Sequence, residues 1–538
     1  MTFRMARAGQ KFGAALEKRQ LAAWLAFALL TLLTIVHAAW VCDDAFITAR
    51  VVDNCLSLRG LRWNPAERVQ AFTHPLWLFA MLIARSLFDD AYWSLLGLCV
   101  LTSALCVGAL VWTRARSEPF FALLAATLAC SKSFVDYSTS GLENPLTHLL
   151  AILLWHEMRR KPAPSLAKAA IWVGLALLNR LDLSLLFGPP LLLVLLQDRS
   201  GTWPERVRSL LVAFAPLLAW EAFSLVYYGS LVPNTATSKL GTALPRAQLL
   251  EHGMAYLLQP TWNDPLSLLL LCTGLPLGLV RGTGRLRAFC MGALLYIGYV
   301  LWIGGDFMAG RFLSTPVLVS VLSLLELLAV PHLALQAVLA VLVVALQFAS
   351  ARPLWATVPA ASQSTEPPGF RSTCFDGVCD EYAFYAPFTH WRRVLHAKVH
   401  PPHPWALLGA EWSGSPEHTR VSGAIGFRGF FAGPKVFLVD YYGLSDPLIA
   451  RLPYEPSLLK WHPGHFKRCV PVGYPEAARL GPEALPDRRL RAYFARIWLV
   501  TRGELWTTER WRAIWQLNTR EARFTGTYEC RVPSAAVP

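Results

Sequence analysis

The chain has 538 residues, of which 54% are hydrophobic and only 16% charged, with a formal net charge of +15. Ordinary soluble domains carry about 25% charged residues, which argues against a cytosolic enzyme, while a disordered chain, a collagen and a small disulfide scaffold are excluded. The Lys and Arg residues sit at alternate turns between apolar runs, not on a soluble face with interleaved aromatics, which argues against nucleic acid as a partner.

Arg4, Arg7, Lys11, Lys18 and Arg19 precede an apolar run from Leu21 to Val41. The tail is expected to stay in the cytoplasm while the run crosses outward. That run is too long for a signal-peptide core and lacks a small-residue cleavage pattern, so it is expected to be retained. Residues 42–90 then form a first outer loop. It begins Cys42-Asp43-Asp44, and the apolar spacing of Phe46, Val51, Leu56 and Leu58 predicts an amphipathic helix along the membrane interface. The run from Pro75 to Phe88 is shorter than the ~20 residues of a spanning helix and is expected to be re-entrant or interfacial.

Further spans are expected near 91–112, 119–132, 145–158, 166–178, 183–197, 209–228, 263–280, 288–303, 312–328 and 333–349. With Pro75–Phe88 not crossing, the turns carrying Arg114 and Arg116, Arg159 to Lys161, Arg199 to Arg208, and Arg281 to Arg287 all fall inside. The fold class is therefore a polytopic α-helical membrane protein of about eleven spans over residues 1–350. Residues 42–90, 229–262 and everything after about Ser350 fall outside. The last piece, 351–538, is rich in Pro, Trp and His and has short runs at Val436–Val439 and Ile497–Thr501, which predict a small mixed α/β domain with short strands. Its cysteines, Cys374, Cys379, Cys469 and Cys530, suggest two bridges in an exported domain. Cys374–Cys379 and Cys469–Cys530 are the economical pairs, although sequence does not fix connectivity and a structural zinc site is the rival reading.

Two adjacent acids just past an apolar helix are unusual. Desolvation and mutual repulsion raise a carboxylate's pKa, which suits Asp43 or Asp44 to act as a general base or, with the other, to hold a divalent cation. The plainer reading is a solvated pair that ends the helix. Arg50 and Arg62 nearby offer guanidinium groups that match phosphate oxygens. In later outer loops, Glu143 and Asn144 precede Pro145, where capping is the alternative. Arg180 and Asp182 form a candidate ion pair, Asn234 and Lys239 fall in VPNTATSK, and Asp306 and Arg311 flank glycines. Charged groups at a membrane face are costly unless used. His462, His465 and Lys467 in WHPGHFKR are further candidates for phosphate, or else solvated.

The block DDAFITAR…LRGLRWNPAERVQAFTHPLW, from Asp43 to Trp77, resembles the first periplasmic loop of GT-C membrane glycosyltransferases, in particular the mycobacterial terminal β-1,2-arabinofuranosyltransferases. STSGLENPL, NRLD, YYGSLVPNTATSKLG, WIGGDFMAGRFLSTPVL, DYYGLSDPLIARL and WHPGHFKR extend that resemblance in collinear order. His74 and NRLD depart from the pattern. The resemblance implies an inverting transfer of a sugar, arabinofuranose by analogy, from a polyprenyl-phosphate donor to an acceptor hydroxyl on a glycan, glycolipid or protein. It places this on the periplasmic face of a bacterial inner membrane, with the terminal domain periplasmic and open to a glycan-binding role. From their chemistry and their place in outer loops, the candidate donor and phosphate contacts are Arg50, Arg62, Lys239, Arg311, His462, His465 and Lys467. Substrate contacts would come from His74, Glu143, Asn144, Arg180, Asp182, Asn234 and Asp306. Mannose or aminoarabinose as the sugar is an alternative within the class. A flippase for lipid-linked sugars is the alternative outside it, disfavoured because no internal repeat is seen.

Overall fold

The computed structural model describes residues 2–114, 119–198, 201–240, 244–328, 333–350, 354–355, 373–454 and 464–531. Three helices open the chain, α1 (Thr2–His37), α2 (Asp43–Leu56) and α3 (Pro75–Leu87). Next come α4 (Ala91–Arg114), α5 (Pro119–Ala125, extended by a 3-10 turn to Cys130), α6 (Lys132–Asp136), α7 (Asn144–Met158), α8 (Leu166–Asn179) and α9 (Ser184–Gln197). The series continues with α10 (Trp203–Tyr227), α11 (Asn234–Lys239), α12 (Arg246–Leu258), α13 (Pro260–Asn263), α14 (Pro265–Arg281), α15 (Gly284–Trp302), α16 (Ser314–Leu327) and α17 (Leu333–Ala349).

A helix thus occupies each of the eleven expected span positions. Among the described residues, four helices are long and apolar enough to cross a bilayer, within Glu17–His37, Ala91–Thr113, Trp203–Tyr227 and Gly284–Trp302. A fifth arises if Arg246–Asn263 and Pro265–Arg281, bent by 115° at their junction, count as one span. The other apolar helices have 10–17 residues, about 15–26 Å at the α-helical rise. The chain is a mostly helical membrane protein. Its helices approach closely through small residues, the packing that lipid-embedded helices use in place of a hydrophobic drive. A methyl group on Gly274 would strike the backbone of Ser320, joining α14 to α16, and one on Gly292 would strike Leu186, joining α15 to α9.

α3 has 13 residues and turns Phe79, Ile83 and Leu87 outward, a stripe too short to span. α2 differs from the expected interfacial helix. It is buried on most of its surface, from Ala45 through Val52 and at Asn54, because the chain beyond residue 350 folds over it. Phe46 meets Phe427, Phe430 and Phe431 at ring separations of 4.9, 5.1 and 6.0 Å. What reads as a lipid-facing stripe is an interior seam.

One hydrophobic core joins Trp40, Phe46 and Trp63 to Tyr385, Phe427 and Leu438 across position 350, and a second gathers Leu448, Tyr474, Phe494, Ile497 and Ile514. Among the described residues the strands form three pairs. β1 (Cys374–Phe375) and β2 (Val378–Cys379) are antiparallel, β3 (Thr419–Ser422) and β4 (Phe437–Asp440) parallel, and β5 (Val470–Pro471) and β6 (Cys530–Arg531) antiparallel. Val436–Val439 enters β4. Ile497–Thr501 does not form a strand; it lies in the helix Arg488–Arg502, whose buried Leu490, Tyr493, Phe494, Ile497, Val500 and Thr501 recur at helical spacing. Both economical disulfides form, Cys374–Cys379 and Cys469–Cys530.

Candidate active site

Consecutive residues on a helix point about 100° apart, and the first turn of α2 uses this to separate its two acids. Asp43 turns toward the helix Gly426–Ala432, where Oδ2 accepts from the Gly426 amide at 3.0 Å and Oδ1 from the Phe427 amide at 2.6 Å. It therefore satisfies amides that the start of that helix leaves open. Burial pushes its carboxyl up to about 7, against the pull of these two bonds. The linkage sign follows. The folded value lies above the usual one, so the stability Asp43 contributes is present below about pH 4 and is lost as pH rises toward 7. Asp43→Asn, which does not ionise, is expected to gain in melting temperature relative to the parent across that window, read by tryptophan fluorescence at stepped pH; a parallel pair of curves contradicts it. The fit is tight, because a Cβ on Gly426 would collide with the Asp43 carbonyl. Gly426→Ala is expected to cost about 1–3 kcal/mol, checked by thermal denaturation.

Asp44 interacts electrostatically with a cluster of charges drawn from later loops, Arg311, Lys239 and Glu143 among them. Burial raises its carboxyl above the usual range, Glu143 raises it further, and Arg311 and Lys239 oppose both. No hydrogen bond to its carboxylate occurs among the described residues, and part of its surface stays open.

Glu143 lies at the centre of that cluster. Its Oε1 receives Arg180 Nη1 at 2.7 Å and Arg311 Nη2 at 3.3 Å, and its Oε2 lies 3.2 Å from His74 Nδ1. Burial alone would raise this carboxyl, but Arg311, His74 and Arg180 bring it well below the usual range. His74 itself is held down at about 4 by burial, so its ring is neutral at pH 7 and the charge balance of Glu143 rests on the two arginines. The other ring nitrogen of His74 pairs with Thr48 Oγ1 at 2.9 Å. Arg180 also grips Asp182 through two contacts of 2.9 and 2.6 Å. Asn144 donates to the Arg311 carbonyl and to Ser314 Oγ, both at 3.1 Å.

The turn after α15 runs Gly304-Gly305-Asp306, with φ of +94° and +77° at the glycines, a region that L residues avoid. It sets Asp306 3.9 Å from Arg311 Nη1. Asp306 Oδ2 is buried without a hydrogen bond. Burial raises the Asp306 carboxyl, opposed by Arg311 and Lys239. Burial lowers the Lys239 ammonium, opposed by Asp306 and Asp44. Lys239, like Asp44, has no side-chain hydrogen bond to a described residue.

Other sequence candidates lie elsewhere. Arg50 is engaged by backbone carbonyls, Trp63 at 2.9 Å, Val436 at 2.9 Å and Gly429, and so does not face the cluster. Arg62 donates to Tyr227 Oη at 2.9 Å and the Pro65 carbonyl at 3.0 Å. Asn234 donates to the carbonyls of Gly443, Leu444 and Asp446, fastening α11 to the terminal segment. His465 packs edge-on against Phe307 and Tyr442, with centroids 4.3 and 4.8 Å away. Lys467 lies over the Tyr441 ring at 6.0 Å. His462 is outside the described residues. Among those described, no group of three His, Cys, Asp or Glu is placed to hold a metal ion.

The structure adds groups absent from the sequence reading. Glu381 is buried, neither carboxylate oxygen has a hydrogen bond, and burial, reinforced by Asp44 and Asp306, raises it well above the usual range. Lys132 bonds Asn263 Oδ1 at 2.6 Å and Asp380 Oδ2 at 2.7 Å. A lone cation in an apolar run is a signal that sequence does carry; Glu381, in DEYAFYAP, has no such flag.

Fold and site together define a membrane protein with an ion-pair network closed around Glu143 and opening on Asp44. The chain is 30% identical over 328 residues to the terminal beta-(1->2)-arabinofuranosyltransferase of Mycobacterium tuberculosis, covering 52% of this chain and 51% of that protein. It is 30% identical over 324 residues to the protein of the same name from Corynebacterium glutamicum, covering 52% and 46%. The chain thus spans about half the length of the curated relatives it matches. No family model and no solved structure matches it.

Proposed function

We propose that the chain is a glycosyltransferase that moves a sugar, arabinofuranose by similarity to its relatives, from a polyprenyl-phosphate donor to an acceptor hydroxyl of a glycan. The observation that carries this reading is the division of labour between the acids. Asp43 is occupied by two amides, while Asp44 stands unshared beside Arg311 and Lys239. A carboxylate whose pKa is raised is a stronger base. Asp44 accepts the acceptor's hydroxyl proton as that oxygen attacks the anomeric carbon, and the bond from that carbon to the phosphate oxygen breaks. Attack opposite the leaving group inverts the centre. The departing polyprenyl phosphate gains negative charge, which Lys239 and Arg311 stabilise electrostatically. Glu143 and Arg180 keep Arg311 in place. Metal is not required by this scheme.

The same reading puts the cluster on the periplasmic side of a bacterial inner membrane, because the basic turns at the opposite helix ends fit the cytoplasmic side. A reporter fused after Arg208 is expected to behave as cytoplasmic, and an exported signal there overturns the orientation. For the chemistry, purified protein is incubated with polyprenyl-phosphate arabinofuranose and an arabinan acceptor, and the product is read by mass. A pentose added with inverted configuration supports the proposal. Folded protein that transfers neither pentose nor hexose contradicts it.

A further inference from the structure

The four helices that bring Glu143, Arg180, Asp306 and Arg311 together also share their far ends. α7 leaves Glu143 and ends at Met158. α9 follows Asp182 and ends at Gln197. α15 begins at Gly284 before reaching the Asp306 turn, and α16 starts just after Arg311 and ends at Leu327. Along α7 the two ends are roughly 22 Å apart. At the end remote from the cluster these helices enclose a cavity of about 520 Å3, with Trp155, Met158, Leu286 and Phe289 on its apolar side. The polar side has Arg159, Lys161, Arg285, Gln197, Thr283 and Glu326.

Three cations there face one carboxylate. Glu326 is balanced by Arg159, whose Nε lies 2.9 Å from its Oε1. Arg285 Nη1 donates to the carbonyls of Met158 and Arg160 at 3.0 and 3.1 Å, satisfying the end of α7, while its remaining nitrogens have no hydrogen bond among the described residues. Lys161 is exposed and has no hydrogen bond or ion pair to a described residue. Two positive charges therefore remain over an apolar wall, at the level where membrane helices end. This combination suits a phosphate ester joined to hydrocarbon, since basic recesses between membrane helices hold anionic headgroups.

We infer that this cavity binds the headgroup of an anionic glycerophospholipid, with Lys161 and Arg285 on the phosphate and the acyl chains leaving past the apolar wall. The site is separate from the proposed catalytic cluster and does not depend on its chemistry. The occupant buttresses the four helices from the end opposite the cluster. The test uses the full chain, purified and delipidated in a neutral detergent, with native mass spectrometry and thermal denaturation in the presence of phosphatidylglycerol, phosphatidylcholine or inorganic phosphate. Phosphatidylglycerol is expected to stay bound and raise the melting temperature, and phosphatidylcholine not. Lys161→Glu is expected to weaken phosphatidylglycerol roughly tenfold or more, while Arg208→Glu, an exposed cation on the same face but outside the cavity, leaves it unchanged. Equal binding of the two lipids, or equal loss in both variants, overturns the proposal. Inorganic phosphate that matches the lipid's stabilisation and displaces it also overturns it, in favour of a free-anion site.

Discussion

Asp44→Asn is expected to lower the transfer rate by roughly 10²–10⁴-fold, the usual contribution of a positioned general base, in a protein that stays folded and, because burial raises the Asp44 carboxyl, melts no lower than the parent at neutral pH. Asparagine keeps the shape and loses the proton acceptor. Because no described residue hydrogen-bonds the Asp44 carboxylate, no partner is left stranded by the change. Asp43→Asn behaves differently, since its side chain joins α2 to residues 426–427, and it is expected to change stability while leaving the proposed base in place. Rate measurements under saturating donor, beside denaturation curves, separate the two. An Asp44→Asn protein that transfers sugar at the parent rate ends the assignment.

Glu143→Ala has the largest expected effect on folding. The substitution leaves Arg180 and Arg311, with side chains only 13% and 7% exposed, without the carboxylate they share. Breaking a buried ion pair from one side costs about 3–5 kcal/mol, and Arg180 keeps only Asp182 while Arg311 keeps the more distant Asp306. A marked fall in melting temperature and in the yield of folded protein is expected. Glu143→Gln, which preserves one acceptor, is expected to fall between. A Glu143→Ala protein as stable as the parent would mean that the arginines find water or lipid phosphate instead.

Much of this centre is legible in the sequence. Membrane loops seldom carry charge without use, so Glu143, Arg180, Asp182, Asp306 and Arg311 stand out against apolar neighbours, and the structure draws all five together. Helix positions follow equally well from apolar run length. What is not legible depends on segments far apart in the chain. Arg50 reads as a phosphate ligand because sequence cannot reveal that the carbonyls of Gly429 and Val436 arrive beside it. The apolar stripe of α2 looks suited to lipid for the same reason, since its true neighbour starts at Gly426. Ile497–Thr501 looks like a strand only when cut from the longer helical repeat around it. Glu381 is unusual through burial alone, which local composition does not encode.

The bond between Asp43 and the amides of residues 426 and 427 has a consequence for biosynthesis. At ribosomal speeds of about 5–20 residues per second, the intervening 383 positions take roughly 20–80 s to be made. Throughout that interval α2 lacks its cover, with Phe46 unpacked and the turn that carries Asp43 and Asp44 unsupported. On the proposed function the nascent chain stays inactive until residues 426 and 427 have been made and have reached α2, and a ribosome stalled before codon 426 would yield an incompetent protein, a ready substrate for membrane quality-control proteases.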